Sequence, residues 1–302
     1  MRLRKTGRWP DFPWTARCVS GRFRNAGDPW TPGIADVLGW KLGLVRARAP
    51  RPVPTNFAAA VVAPDLALIH RRESEPTAAT WIGHATFLVQ AGGLNVLTDP
   101  MFSEYCSPWP IPRLRRAAPP GLALGELPRI DLVLLSHAHY DHLDRASLRR
   151  LGPEIPIACP LGMGPLLRGW GFRNAVELGW GETGELGSAR LCCLPGQHGA
   201  ARGLLDRDAT LWCGWMLEVG GRRIYFAGDT GYAPYFPELF ARFAPVDLAL
   251  LEQELIEFRE ERPDAAVVVR ADRSLPYQQV MDVYDIIQRA KIERMSLGNT
   301  TP

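Results

Sequence analysis

The 302-residue sequence has no apolar run close to the length of a membrane span, and its six cysteines form no Cys-x-x-Cys pair. A transmembrane helix needs about 20 apolar residues, and cysteine-based zinc sites need closely spaced thiols. Neither feature is expected here. Scattered cysteines in apolar stretches favour a reducing compartment, so we expect a cytoplasmic protein. The net charge of +3 is too small to indicate a nucleic-acid partner.

Histidine is also scarce, with six in the chain and none after His198. Three of the six nevertheless lie within the hexapeptide His137-Ala-His-Tyr-Asp-His142, directly after the apolar run 131–136. The short, leucine-rich run predicts a buried strand. Strand alternation then places His137 and His139 on one side, and Asp141 and His142 fall just before a predicted helix at 144–150.

A single buried histidine is usually a core residue that is hydrogen-bonded to backbone. Three histidines and an aspartate at one strand end are costly to bury without a metal or other partners. The hexapeptide therefore predicts a pair of zinc-like ions with open positions for water. Two further segments fit this site, because His198 and Asp229 each follow a predicted strand, although either one alone is compatible with an ordinary turn.

Hydrophobic periodicity divides the chain into three parts. Residues 1–77 are rich in Pro, Arg and Trp and predict an arm packed on the domain, with a lid or a membrane-surface contact as the alternative. Residues 78–251 alternate strands with helices near 144–150, 162–169 and 236–243, which favours an α/β or α+β fold. Residues 252–302 predict a charged helix at 252–262, strands at 265–270 and 295–297, and a helix at 277–290.

Several stretches together resemble the metallo-β-lactamase superfamily. Within it, the chain is similar to N-acylphosphatidylethanolamine-hydrolysing phospholipase D and to the UlaG-type lactonases. The stretches are Trp81-Ile-Gly-His-Ala-Thr-Phe-Leu-Val89, Leu97-Thr-Asp-Pro-Met-Phe102, 131–144, Gln197-His-Gly-Ala-Ala-Arg-Gly203, Thr210-Leu-Trp212, Tyr225-Phe-Ala-Gly-Asp-Thr-Gly-Tyr232 and, in the arm, Arg22-Phe-Arg-Asn25. The resemblance implies an αββα sandwich with two zinc ions at one edge.

The resemblance also implies roles for individual residues. The first ion would be bound by His137, His139 and His198, the second by Asp141 and His142, with Asp229 bridging both. A hydroxide between the ions would be the nucleophile, and Asp141 could also accept a proton, so Asp141 and Asp229 are the expected catalytic residues. His84 matches a family position near the site, where it would contact substrate or orient that edge.

The expected function is hydrolysis of a small-molecule or lipid phosphodiester, with peripheral membrane contact. A lactonase is the alternative within the family. Outside it, a non-catalytic metal-binding protein and a defective fusion are the other hypotheses. No transmembrane segment and no nucleic-acid partner are expected.

The match to the family fails after residue 251. The family continues there with further strands and a final histidine for the second ion, and neither is recognisable in this sequence. Residues 252–302 instead resemble the C-terminal part of the periplasmic domain of ExbD/TolR transport proteins. We therefore expect a chimera, in which an incomplete metallo-β-lactamase domain at 78–251 has an incomplete second metal site.

Overall fold

The computed structural model describes residues 1–26, 64–70, 77–116, 118–203, 205–231, 233–250, 266–271 and 294–299. The helices predicted at 252–262 and 277–290 lie outside these residues. Within the described ranges, no helix is long and apolar enough to cross a membrane.

Two six-stranded sheets, two two-stranded sheets and a few short helices make up the described chain. The strands are β1 (Arg4–Arg8), β2 (Arg17–Val19), β3 (Arg22–Arg24), β4 (Ala78–Gly83), β5 (Thr86–Ala91), β6 (Leu94–Thr98), β7 (Leu132–Leu134), β8 (Ile157–Pro160), β9 (Ala175–Leu178), β10 (Glu182–Leu186), β11 (Ala189–Leu194), β12 (Gly214–Val219), β13 (Arg222–Phe226), β14 (Leu248–Leu250), β15 (Ala266–Ala271) and β16 (Arg294–Asn299). The helices are α1 (Leu66–His70), α2 (Arg145–Leu151), α3 (Gly164–Gly169) and α4 (Phe236–Phe243).

The first sheet has the order β4-β5-β6-β7-β8-β9. Its first three strands are antiparallel, and β6 to β9 run parallel. Every residue of β6, β7 and β8 is buried. Parallel strands that are covered on both faces read as continuous apolar runs, which is why the sequence before His137 predicted a strand correctly.

The second sheet has the order β1-β10-β11-β12-β13-β14 and is antiparallel except for the β13–β14 pair. Its first edge strand, β1, comes from the segment that the sequence predicted only as a packed arm. Arg4 lies opposite Glu185 in this pairing, and Lys5 Nζ lies 2.6 Å from Glu182 Oε2. The arm is therefore part of the sheet itself over these five residues.

The two sheets enclose one apolar core, in which Trp180, Trp212 and Trp215 are the largest buried side chains. Hydrogen bonds also join the sheets directly. Trp215 Nε1 donates to Leu135 O at 2.9 Å, and Cys213 N donates to Ser136 O at 3.0 Å. The predicted α/β sandwich is confirmed, and these bonds fix the spacing of the sheets just before His137.

The three helices predicted near 144–150, 162–169 and 236–243 lie within two residues of the observed ones. Strand β12 begins at Gly214, because Leu211 N and Cys213 N donate to Leu161 O and Ser136 O instead of to a neighbouring strand of the same sheet. In the C-terminal segment, β15 and β16 pair in parallel, with Ala266 opposite Arg294.

Candidate metal centre

Strands from both sheets end at one edge of the sandwich, and each predicted ligand follows such an end. The ends of β6 and β7 lead to Asp99 and to the hexapeptide beginning at His137. In the second sheet, β11 leads to His198 and β13 leads to Asp229. The structure therefore brings together all six residues that were predicted to bind metal.

Three imidazoles and one carboxylate form what we call the first position, which comprises His137, His139, His198 and Asp229. His137 Nε2 lies 2.8 Å from His139 Nδ1, and His139 Nδ1 lies 3.3 Å from His198 Nε2. Asp229 Oδ2 lies 3.9 Å from His137 Nε2 and 3.7 Å from His198 Nε2. Four donor atoms thus surround one point.

A neighbouring set forms the second position, defined by Asp141, His142 and Asp229. His142 Nε2 lies 3.2 Å from Asp229 Oδ1 and 4.0 Å from Asp141 Oδ2. The structure also places His84 here, with its Nε2 3.2 Å from Asp141 Oδ2. The predicted proximity of His84 to the site is therefore observed on the side of the second position.

Asp229 faces both positions, with Oδ1 toward His142 and Oδ2 toward His137 and His198. Its placement depends on Gly228, whose φ is +61°. A Cβ on Gly228 would lie only 2.4 Å from Ser136 Cβ and 3.0 Å from Cys213 O. Only glycine fits this backbone, so the close approach of the two sheets sets the position of Asp229.

The donor set fits divalent metal ions. His142 Nε2 is buried and has no well-directed hydrogen bond, although a carboxylate oxygen is near it. In the first position, three imidazole nitrogens converge, and a shared hydrogen bond can satisfy only two of them at a time. Imidazole and carboxylate ligands suit zinc and also iron or manganese. The atoms therefore match a metal centre better than a self-sufficient hydrogen-bond network.

Burial and neighbouring charges give the two positions opposite electrostatics. Burial lowers the pKa of His137 and of His139, and it lowers the pKa of His198 to about 4. Burial also opposes the charged form of His142, but the neighbouring carboxylates of Asp229 and Asp99 outweigh it and raise the pKa of His142. The first position thus keeps neutral imidazoles, which is the form that binds metal.

The two predicted catalytic carboxylates are ionised. Burial acts to raise the pKa of Asp141 and of Asp229, but the histidines beside them outweigh it and lower both values. For Asp141 the main partners are His84 and His142, and for Asp229 they are His142 and His198.

Asp99 is a buried residue of the site for which sequence analysis predicted no role. Its Oδ2 lies 2.8 Å from His142 Nδ1 and also accepts a hydrogen bond from Ser136 Oγ. Ser136 Oγ in turn lies 2.9 Å from His137 Nδ1. Such outer partners fix the orientation of metal-binding imidazoles. The signal in the sequence was Thr98-Asp99-Pro100 at the end of a strand beside β7.

Two further residues hold the loops that carry the ligands. Asn25 Nδ2 donates to His198 O at 3.0 Å, and Asn25 Oδ1 accepts from His198 N at 3.1 Å. Trp212 Nε1 also donates to Asn25 Oδ1, at 3.0 Å. Arg202 Nη1 donates to Ala138 O and Leu143 O, and its guanidinium lies 3.9 Å from the centre of the Tyr140 ring. The N-terminal segment therefore supports the first position directly.

Comparison with known proteins agrees with this geometry. The family model for the beta-lactamase superfamily domain matches residues 94–291, about two thirds of the chain. The chain belongs to this superfamily. The match continues past residue 251, so the boundary expected there stays a prediction.

Three relatives show the range of proteins to which the chain is similar. An uncharacterized protein of Mycobacterium tuberculosis is 39% identical over 187 residues, which are 61% of this chain and 50% of that protein. N-acyl-phosphatidylethanolamine-hydrolyzing phospholipase D 1 of Caenorhabditis elegans is 36% identical over 220 residues, covering 65% of this chain and 62% of that protein. A metal-dependent hydrolase of Anaeromyxobacter dehalogenans is 33% identical over 186 residues, covering 58% and 63%. The chain thus spans between half and two thirds of the length of these relatives.

Proposed function

We propose that this protein is a zinc-dependent hydrolase of a lipid or other small-molecule phosphodiester. One observation carries the proposal: Asp229 directs its two carboxylate oxygens to two separate sets of donors. The names of two relatives, a metal-dependent hydrolase and a phospholipase D, support the reaction and the substrate class.

Two bound divalent ions would polarise the phosphodiester and make water nucleophilic at neutral pH. The residues of the chain prepare the site for this chemistry. Asp229 contributes one carboxylate oxygen to each of the two donor sets. Asp141 is ionised and its side chain is 36% exposed, so it can accept a proton from water that enters the open side. His137 and His142 are fully buried and anchor the closed side.

Exposed tryptophans support a lipid substrate at a membrane surface. Trp81 and Trp109 are 61% and 70% exposed. Trp81 lies in β4, just before the turn that carries His84, and donates from Nε1 to His84 O at 2.7 Å, so it is close to the second position. An amphipathic indole at the mouth of a site can enter the interfacial region of a bilayer. Vesicle co-sedimentation that weakens in Trp81→Ser would support this contact.

We propose the chimeric organisation on separate grounds. The parallel pairing of β15 with β16 is consistent with the two strands of the segment that resembles ExbD/TolR. Limited proteolysis would test the proposed boundary at residue 251, because cleavage near that residue should leave a stable fragment that begins at residue 1.

We also propose a cytoplasmic location, since all six cysteines are free thiols.

The decisive experiment combines metal content with phosphodiesterase activity. The wild-type chain should contain zinc and hydrolyse an N-acylphosphatidylethanolamine or a simple aryl phosphodiester. His137→Ala should lose bound zinc and activity together, because it removes a fully buried donor of the first position. Full activity with undiminished zinc in that variant would refute the proposal. Preference for a lactone over both phosphodiesters would select the lactonase alternative.

A further inference from the structure

The second position has fewer donors than the first. Asp141, His142 and the shared Asp229 give it one imidazole, whereas the first position has three. The question is which nearby side chain adds an imidazole here.

His84 is in the correct place to do so. Its Nε2 lies 3.2 Å from Asp141 Oδ2, and its ring centre lies 4.8 Å from that of His142. His84, Asp141 and His142 each offer a donor atom, and these atoms all lie within 4.8 Å of one another. The arrangement repeats the spacing of the first position, where the donor atoms are 2.8 to 3.9 Å apart along its edges.

The separations can be compared with those of a metal site. Ligand atoms at about 2.1 Å from a tetrahedral zinc ion lie about 3.4 Å from one another. The edges of the second position are 3.2 Å from His84 to Asp141, 4.0 Å from Asp141 to His142 and 3.2 Å from His142 to Asp229. Each of these three separations is within 1 Å of the tetrahedral value.

The turn that carries His84 is also held against the rest of the site. Thr98 Oγ1 donates to Ala85 O, and Thr86 Oγ1 donates to Asp99 O, each at 2.7 Å. Asp99 is the residue that orients His142. The same end of β6 therefore fixes both imidazoles of the second position, so His84 does not need a mobile loop to reach it.

We propose that His84 Nε2 is a ligand of a divalent cation at the second position, where it completes a set of two histidines and two aspartates. This inference rests on the proposed metal-dependent function. It replaces the expectation of an incomplete second site: the imidazole comes from the β4–β5 turn instead of from the C-terminal part of the chain. The ion pair of His84 with Asp141 is then the metal-free form of two neighbouring ligands.

Metal binding tests this assignment without reference to activity. The full chain would be stripped with a chelator, titrated with Zn²⁺ by calorimetry, and analysed for metal content after dialysis. His84→Ala should keep the first ion and bind the second at least about tenfold more weakly, the smallest loss typical even for an outer partner of a ligand. His84→Gln should behave in the same way. His70→Ala, which alters an exposed histidine of α1, is the matched control and should bind two ions.

The glutamine variant separates ligation from orientation, because its amide can still donate a hydrogen bond to Asp141. Wild-type affinity for the second ion in His84→Gln would overturn the ligand role, and so would a wild-type chain that binds one ion unaffected by His84→Ala. A wild-type chain that binds no metal would instead refute the proposed function as well. Should the variants fail to fold, ¹⁵N-histidine spectra of the wild-type chain decide: the His84 Nε2 resonance should shift with the second equivalent of Zn²⁺. If the His84 Nε2 resonance has not shifted at two equivalents of Zn²⁺, the inference is wrong.

Discussion

The two metal positions are built from different parts of the molecule. The first position needs both sheets, because His137 and His139 follow β7 of one sheet whereas His198 follows β11 of the other. The second position takes Asp141, His142 and the nearby His84 from the first sheet alone and shares only Asp229 with the second sheet.

Because of this difference, the metal affinities of the two positions depend on different parts of the fold. Ligands of the first position are brought together only when the sheets dock, so its affinity depends on packing across the whole core. The second position depends on two turns at one end of the first sheet, and its Asp141 and His84 side chains are 36% and 30% exposed. We therefore expect the first position to bind its ion more tightly, and a chelator should remove the second ion first.

The largest effect is expected when the residue that both positions share is replaced. Asp229→Asn should lose the second ion and lower phosphodiesterase turnover by at least about a thousandfold, or ~4 kcal/mol of transition-state stabilisation. Zinc analysis and steady-state kinetics would measure both. Asp65→Asn, at an exposed aspartate that accepts from Leu68 N, is the control and should have no effect. Turnover within tenfold of wild type would contradict a bridging role.

A smaller and unequal effect is expected from Asp99→Asn. Asp99 bonds directly to His142 but reaches His137 only through Ser136. The second position should therefore lose about 10- to 100-fold in Zn²⁺ affinity, and the first should lose less. Calorimetric titration of the metal-free variant would show this. Asp131→Asn, at the opposite end of β7, serves as control. Equal losses of Zn²⁺ affinity at both positions would contradict the prediction that Asp99 acts mainly on the second position.

The pH dependence of the metal-free protein should distinguish the positions by sign. The three imidazoles of the first position have lowered pKa values, so below pH 6.5 the unfolded chain takes up protons that the folded chain does not. Stability then falls as pH falls, by about 1 to 3 kcal/mol from pH 6.5 to 5.5. The raised pKa of His142 contributes stability that is already complete below pH 6.5.

Urea unfolding of chelator-treated protein at several pH values would measure this slope. His198→Gln should make the slope shallower, because one of the three neutral imidazoles is removed. A stability that is unchanged between pH 6.5 and 5.5 would show that these imidazoles are not held neutral by burial.

The smallest expected effect comes from the N-terminal support of the first position. Asn25→Ala removes two hydrogen bonds to the backbone of His198, which should cost about 1 to 2 kcal/mol and weaken the first ion roughly fivefold or more. The second ion should be unaffected. Asn174→Ala, which removes a surface hydrogen bond to Glu154 O, is the control. Equal weakening of both ions would contradict the separation of the two positions.

The structure brings the predicted ligands together, and most of them could be recognised because they are local in the sequence. Four of them lie within the hexapeptide after a recognisable buried strand, and the others follow strands that also have clear apolar patterns. Asp99 was not assigned a role, because its contact with His142 depends on β6 lying beside β7 in the sheet. No local pattern records which strands become neighbours.

The edge strand β1 shows a second limit. All five residues of Arg4–Arg8 are exposed, so the segment has no alternation of apolar and polar positions. It joins the sheet through backbone pairing and an ion pair, and these leave no hydrophobic pattern in the sequence. The site residue Asn25 was missed for a similar reason, since its contacts are with the backbone of a residue 173 positions away.

Gly228 has a consequence for anyone who wishes to redesign this centre. Because Ser136 and Cys213 close around this residue, the distance between the two donor sets is a property of the inter-sheet gap and not of the Asp229 side chain. Lengthening the bridging acid to glutamate would crowd the centre without widening it. A centre tuned for larger ions would need a wider gap between the strand ends that lead to Ser136 and Gly228.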